Sequence, residues 1–203
     1  NALNDAGTDE LLDVIRERED DEDVLGFVIT GYGARSFCAG ADIGSFPELL
    51  GNAEAAAGFA RDCSRLLVHL DAMEKPVVAA INGMALGGGL ELALRCHSMV
   101  ATAGAWMQLP EVTLGIAPGI GALTVPYRRW PEAAAVFHDM LRLGRKLKAE
   151  DAHEMGILDG LSDDMSGLVP LALARVRQLS GKVTRIPDGR CEIAAPSPVE
   201  PRH

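Results

Sequence analysis

Apolar positions along the chain fall into short unbroken runs, separated by glycine-rich turns and by longer stretches of helical periodicity. A β-branched run over 24–30, closed by Gly31 and Gly33, predicts a buried strand. Val77–Ile81, set off by Pro76, predicts a second strand, and Ser98–Thr102 a third. Between the first two, residues 31–46 read as loop and 48–73 as a helix with Leu66, Leu67 and Leu70 on one face. Near the start, Thr8 is placed to cap a helix with Asp9 and Glu10 in its first turn and Leu11, Leu12 and Ile15 as its apolar stripe. Asn82-Gly83 turns the chain toward Gly87-Gly88-Gly89, and residues 90–95 are helical. Beyond Pro118, helical patterns cover 132–143, 149–155 and 165–179, and from Pro187 onward prolines predict an extended arm or linker. Strands alternating with helices imply an α/β layered fold with parallel strands. The organisation expected is a core over 1–145, a helical region over 146–182 and a proline-rich tail over 183–203.

Length and charge narrow this picture. A chain of 203 residues, 48% hydrophobic, buries a core without metal or disulfide help. Cys38, Cys63, Cys96 and Cys191 form no CxxC pair, so they read as thiols in a reducing, cytoplasmic setting. The net charge of −10 argues against nucleic acid as a partner. Most of that charge sits at the front, where residues 1–23 carry ten acids and two bases, the pattern of a solvated helix face. No signal peptide opens the chain, and the uncharged run 76–90 is too short and glycine-rich to span a membrane. A soluble protein is expected.

The informative feature is where charge is missing. Of the 52 residues from Pro76 to Tyr127, only Glu91, Arg95 and Glu111 are charged, which predicts a mostly interior segment in which carboxylates are costly unless paired or used. Glu91 lies in the first turn of a helix entered through three glycines, where unpaired N–H groups at the positive end of the helix could hold a developing oxyanion. Arg95, at i+4, offers the plainer alternative of an ordinary helix ion pair. Glu111 has no basic residue within fifteen positions on either side. It is either satisfied by a long-range salt bridge or raised in pKa by desolvation, as suits a general acid. A second loop, Phe37-Cys38-Ala39-Gly40-Ala41-Asp42, could bend at Gly40 and turn the Ala41 N–H into a cleft, although an ordinary strand–helix turn explains it equally well.

Other chemistries find no support. Gly31-x-Gly33 has Ser36 where a dinucleotide fingerprint needs its third glycine, and the glycine run at 87–89 lacks the Lys-Ser/Thr of a phosphate loop. His69, His97, His138 and His153 show no metal-ligand spacing, and Ser36, Ser45 and Ser64 lack the Gly-x-Ser-x-Gly elbow. No metal is expected.

On these residues the chain resembles the crotonase (enoyl-CoA hydratase/isomerase) superfamily. The likeness is carried by Phe37-Cys38-Ala39-Gly40-Ala41-Asp42-Ile43, by residues 75–83, by Ala85-Leu86-Gly87-Gly88-Gly89-Leu90-Glu91-Leu92-Ala93, and by Leu109-Pro110-Glu111 through Gly119, with weaker likeness over 148–159. It implies a ββα superhelix with a helical C-terminal region and an acyl-coenzyme A thioester substrate, coenzyme A being part of the substrate and no separate cofactor being required. It implies that the N–H groups of Ala41 and Gly88 hold the thioester oxygen, that Glu91 and Glu111 are the catalytic carboxylates, and that Ala39, Gly40, Asp42, Ile43, Gly87 and Leu109 contact the substrate. Glutamate at both positions is the pattern of a hydratase adding water across a trans-2-enoyl thioester. A Δ3,Δ2-enoyl-CoA isomerase, other acyl-CoA chemistry of the superfamily and a non-catalytic binding module are the alternatives. The resemblance also implies a homotrimer or hexamer. Measured against it, the chain begins inside the first helix without the opening β-hairpin and ends in a proline-rich tail, so it reads as an excerpt, with a multifunctional fatty-acid oxidation protein as one source. His97 departs from the usual Asp after Cys, as does Gly121-Ala122 from a glycine pair. Phe46, Leu49, Leu50, Phe59 and Trp106 are candidates for an acyl pocket, and Arg128, Arg129, Arg142, Arg145, Lys146 and Lys148 for phosphate or subunit contacts, with core and solvated surface as the plainer readings.

Overall fold

The computed structural model describes residues 1–41 and 51–198. Strands β1 (Phe27–Thr30), β3 (Val77–Ile81), β5 (Ser98–Thr102) and β8 (Gly160–Ser162) form a parallel sheet in the order β1-β3-β5-β8. Strands β2 (Ser36–Cys38), β4 (Met84–Leu86), β6 (Trp106–Gln108) and β7 (Lys146–Lys148) form a second sheet in the order β2-β4-β6-β7, parallel except for β7 against β6. Each of the first three turns of the chain thus lays one strand in each sheet. Helices α2 (Ala53–Ala72) and α3 (Gly88–Arg95) follow the first two strand pairs. This is the ββα superhelix, an α/β fold with helices against parallel sheets.

The expected strands at 77–81 and 98–102 are present with those bounds, because every residue in both is buried and the run of small and β-branched side chains suits a sheet covered on two faces. Val78, Ala80 and Val100 face Leu168, Ala172 and Val176 of helix α7 (Met165–Leu179), while Val77, Ala79, Ile81, Met99 and Ala101 join the main core with Leu66, Leu67 and Leu70. Several boundaries differ from expectation. Helix α1 (Asp5–Arg18) starts a turn earlier than the Thr8 cap allows: Asn4 is the N-cap and its Oδ1 accepts from Gly7 N at 2.8 Å, leaving Thr8 buried inside the first turn. The first strand is only 27–30. The stretch expected as loop contains β2, and the expected turn from Asn82 into the glycines contains β4. Buried Asn82 fixes both crossings, since its amide meets Gly31 N, Gly31 O and Gly33 O at 3.1, 2.9 and 2.5 Å. The helix expected at 149–155 is present as α6 (Ala149–Glu154), and within the region 146–182 expected to be helical the chain also gives a strand to each sheet on either side of it. Short helix α4 (Val125–Arg129) and helix α5 (Ala134–Leu143) complete the order, and residues 183–198 contain no helix or strand. Among the described residues no helix is long and apolar enough to cross a membrane, and no group of three or more His, Cys, Asp or Glu is placed to hold a metal ion.

Candidate active site

The second sheet delivers both carboxylates to one place. At the end of β4, Gly87 donates its N–H to Gln108 O of β6 at 3.0 Å and adopts φ +48°, a conformation that favours glycine. The chain then enters α3, whose residues from Gly89 to Leu94 are all buried. Beyond β6, Pro110 leads into a single 3-10 turn, Glu111–Leu114, capped by left-handed Gly115. Glu91 and Glu111 face a common cavity of about 320 Å³, which Ala39, Gly40, Ala41, Gly87 and Gly88 also line. The fit is close: a Cβ on Gly87 would stand 2.7 Å from Glu111 Oε1.

The backbone of two loops meets at the same point. A Cβ built on Gly40 would lie 3.5 Å from Gly88 N, and one on Gly88 would lie 3.7 Å from Ala41 N. Gly88, as the first residue of α3, has no acceptor for its N–H within the helix. Ala41 is held in register by the bridge to Leu3, whose N–H donates to Gly40 O at 2.8 Å. Two amides and two carboxylates therefore surround one volume, with further walls from Leu114, Ile116 and Ile120 and from Ala56, Ala60 and Cys63 of α2.

The two acids differ in their partners. Glu91, 2% exposed, accepts with Oε1 from Ile120 N at 3.0 Å and Ala122 N at 2.8 Å. Burial raises its carboxyl, and these N–H groups oppose the rise. The alternative of an i+4 pair with Arg95 is overturned: Arg95 turns instead to Asp71 at the end of α2 and to Ile120 O. Glu111 keeps Oε2 buried without a hydrogen-bond partner, and among the described residues no ion pair reaches it. Burial pushes it up to about 7, with the nearby Glu91 charge adding to the rise. A carboxyl so poised exchanges protons readily at neutral pH.

Other expectations are placed differently. Leu109 does not line the cavity; it is 1% exposed and packed into the core beneath the Pro110 turn. Trp106 likewise points elsewhere, carrying Lys146 Nζ 4.0 Å from its ring centroid. Asp42, Ile43, Phe46, Leu49 and Leu50 lie outside the described residues, as does the side chain of Phe59. His97 is structural, its Nδ1 accepting from Val77 N at 3.0 Å. Of the basic group, Arg129 is spent on the carbonyls of Leu94, Cys96 and His97, and Arg145 pairs with Asp139. The contribution that side-chain reasoning overlooked is the cradle at 120–122. Backbone amides carry no residue signature, and only the glycines at 115, 119 and 121 hint that this segment bends sharply.

The enoyl-CoA hydratase/isomerase family profile matches residues 1–186. Over 159 residues the chain is 37% identical to a short-chain-enoyl-CoA hydratase of Clostridium acetobutylicum, covering 78% of this chain and 59% of that protein. Over 159 residues it is 40% identical to the peroxisomal bifunctional enzyme of Cavia porcellus, covering 78% of this chain and 21% of that one. The enoyl-CoA hydratase structure from Bacillus anthracis superposes with a TM-score of 0.77 at 29% identity, over 88% of this chain and 67% of that one. The two sequence relatives are thus longer than what is seen here, and the residues matched by the family profile include both carboxylates and both amide loops. Sequence, fold and the carriers of the cavity agree, and the chain belongs to the enoyl-CoA hydratase/isomerase family.

Proposed function

We propose that this chain carries an enoyl-CoA hydratase site, which adds water across the 2,3-double bond of a trans-2-enoyl-CoA. The observation that supports it is the pair of buried carboxylates facing one cavity beside two converging backbone amides. The thioester oxygen sits between Ala41 N–H and Gly88 N–H, and negative charge develops there as the enolate forms. Glu91, held by two N–H donors, is the anionic partner: it takes a proton from water as the water oxygen bonds to C3. Glu111, poised near neutrality, delivers a proton to C2, so that the double bond is consumed and the enolate collapses back to the thioester. The proton gained by Glu91 and the one lost by Glu111 then balance through solvent, with no net consumption of either acid. Each such group is worth about 10²–10⁴ in rate. A trimer or pair of trimers, a cytoplasmic setting and a place in a multifunctional fatty-acid oxidation protein belong to the same reading, the last supported by the match to part of a bifunctional enzyme.

The test follows the absorbance of the conjugated enoyl thioester of a short trans-2-enoyl-CoA with the wild-type chain and Glu111→Gln. Loss of the band with wild type, reduced at least a hundredfold in the variant, is expected. Equal rates in the two would overturn the reading. Turnover of a 3-enoyl thioester that survives Glu91→Gln, with no hydration, would replace it by the isomerase.

A further inference from the structure

Behind the cradle that holds Glu91 lies a second set of contacts. Arg95 and Glu91 are one turn apart on α3, and both act on the segment Ile120-Gly121-Ala122. From the cavity side, Glu91 Oε1 takes the N–H groups of Ile120 and Ala122. Arg95 Nη2 donates to Ile120 O at 3.4 Å, and its guanidinium stands against Gly121. A Cβ on Gly121 would come within 2.9 Å of Arg95 Nε and 3.0 Å of Nη2, and Gly121 holds φ +146°. Arg95 is itself anchored by an ion pair with Asp71 on α2.

The pair has little to offer stability. Burial raises the Asp71 carboxyl despite the adjacent guanidinium, and Asp71 Oδ1 and Arg95 Nε are both buried without a hydrogen-bond partner. What the pair does touch is the 120–122 backbone whose amides hold Glu91. We propose that Arg95, anchored by Asp71, is a positioning residue that holds the Ile120-Gly121-Ala122 cradle and so fixes the Glu91 carboxylate toward the bound water. The inference rests on the reading of Glu91 as the group that activates water. Two charged groups bear on Glu91, Glu111 at the same cavity and Arg95 on its own helix, and Asp71 from α2 bears on it through Arg95.

The experiment replaces the whole pair, as Asp71→Leu/Arg95→Met, so that no lone charge is left buried, with Arg95→Lys as a milder variant that keeps the cation but cannot span both Asp71 and the Ile120 carbonyl. Two rates are compared: hydration of a short trans-2-enoyl-CoA, which needs both carboxylates, and exchange of the α-protons of butyryl-CoA with D2O, which needs only Glu111 and the two amides. Hydration kcat is expected to fall about tenfold to a hundredfold in the double variant and less in Arg95→Lys, with KM and α-proton exchange within about twofold of wild type. Equal loss of both rates, or loss of neither, would overturn the proposal. A readout free of turnover is the titration of Glu91 followed through carboxyl-labelled glutamate: it should move to higher pH in Arg95→Lys, which keeps the cation but loosens the two amides, and an unmoved titration there would overturn the proposal. Wild type that exchanges α-protons without hydrating would refute the hydratase reading instead, and the titration would still decide the role of Arg95.

Discussion

Glu91 and Glu111 share a cavity, but one is held by two amides and the other has a bare oxygen, and this sets what each does near neutral pH. If Glu111 enters the reaction protonated, kcat/KM must fall as pH rises through about 7, the value to which burial pushes its carboxyl. A pH profile of hydration measured from 5.5 to 9 checks this, and a profile with no limb near 7 would show that the proton comes from elsewhere. The position of the same carboxylate depends on Gly87. Gly87→Ala places a methyl 2.7 Å from Glu111 Oε1 at a φ of +48°, so both the turn and the acid must shift. Hydration by Gly87→Ala is expected to drop about a hundredfold while circular dichroism stays that of wild type. Neither effect is visible from residue types alone. The emptiness of charge around Glu111 was legible, but its bare oxygen and the glycine against it were not.

At the scale of the elements, legibility followed length. β3 and β5 are five-residue apolar runs bounded by turn signals, and α7 is fifteen residues of helical pattern, so their bounds could be read from the chain. β2, β4, β6 and β7 are three residues each, too short to show a period, and they exist because a neighbouring strand offers its backbone. These are also the strands that carry the site, since β4 and β6 lead directly into Gly87 and Glu111. Scarcity of charge over 76–127 and the family motifs therefore pointed to Glu91 and Glu111 where strand periodicity could not. Helix starts misled for a related reason: Asn4 and Thr8 are both good caps, and only the local backbone chooses between them. The caps make a direct prediction. Asp164 Oδ1 accepts from Ser166 N and Gly167 N at the start of α7, which covers one face of the first sheet. Asp164→Ala should lower the urea-unfolding midpoint and leave hydration unchanged, because α7 does not reach the cavity. A loss of activity at full stability would contradict that separation.

For the molecule as a whole, the site and the fold pull against each other through two buried groups of opposite kind. Glu111 has a folded pKa of about 7 against 4.5 for the free side chain, so the folded state binds the extra proton between those values. Its contribution is therefore unfavourable to folding as pH rises from 4.5 to 7, and constant above that. His97 is the reverse. Burial, helped by Arg129, lowers it to about 4 from 6.5, so the unfolded state binds the extra proton and stability is lost as pH falls through that window. Over most of pH 4.5 to 6.5 the two slopes oppose, so each masks part of the other in wild type. Removing the ionisable acid unmasks the histidine. Glu111→Gln should match wild type near pH 4.5, gain stability steadily to pH 7, and remain more stable above it by roughly 1–2 kcal/mol, since water in the cavity screens part of the full cost. Chemical denaturation of both proteins at pH 4.5, 6, 7 and 8 measures the difference directly. A variant that is equally stable at pH 8 would mean that Glu111 is not strained by its burial, and the proton-delivery role would lose its physical basis. A variant that is stable and inactive at pH 8 would show that the chain holds an uncomfortable carboxylate because the reaction requires it.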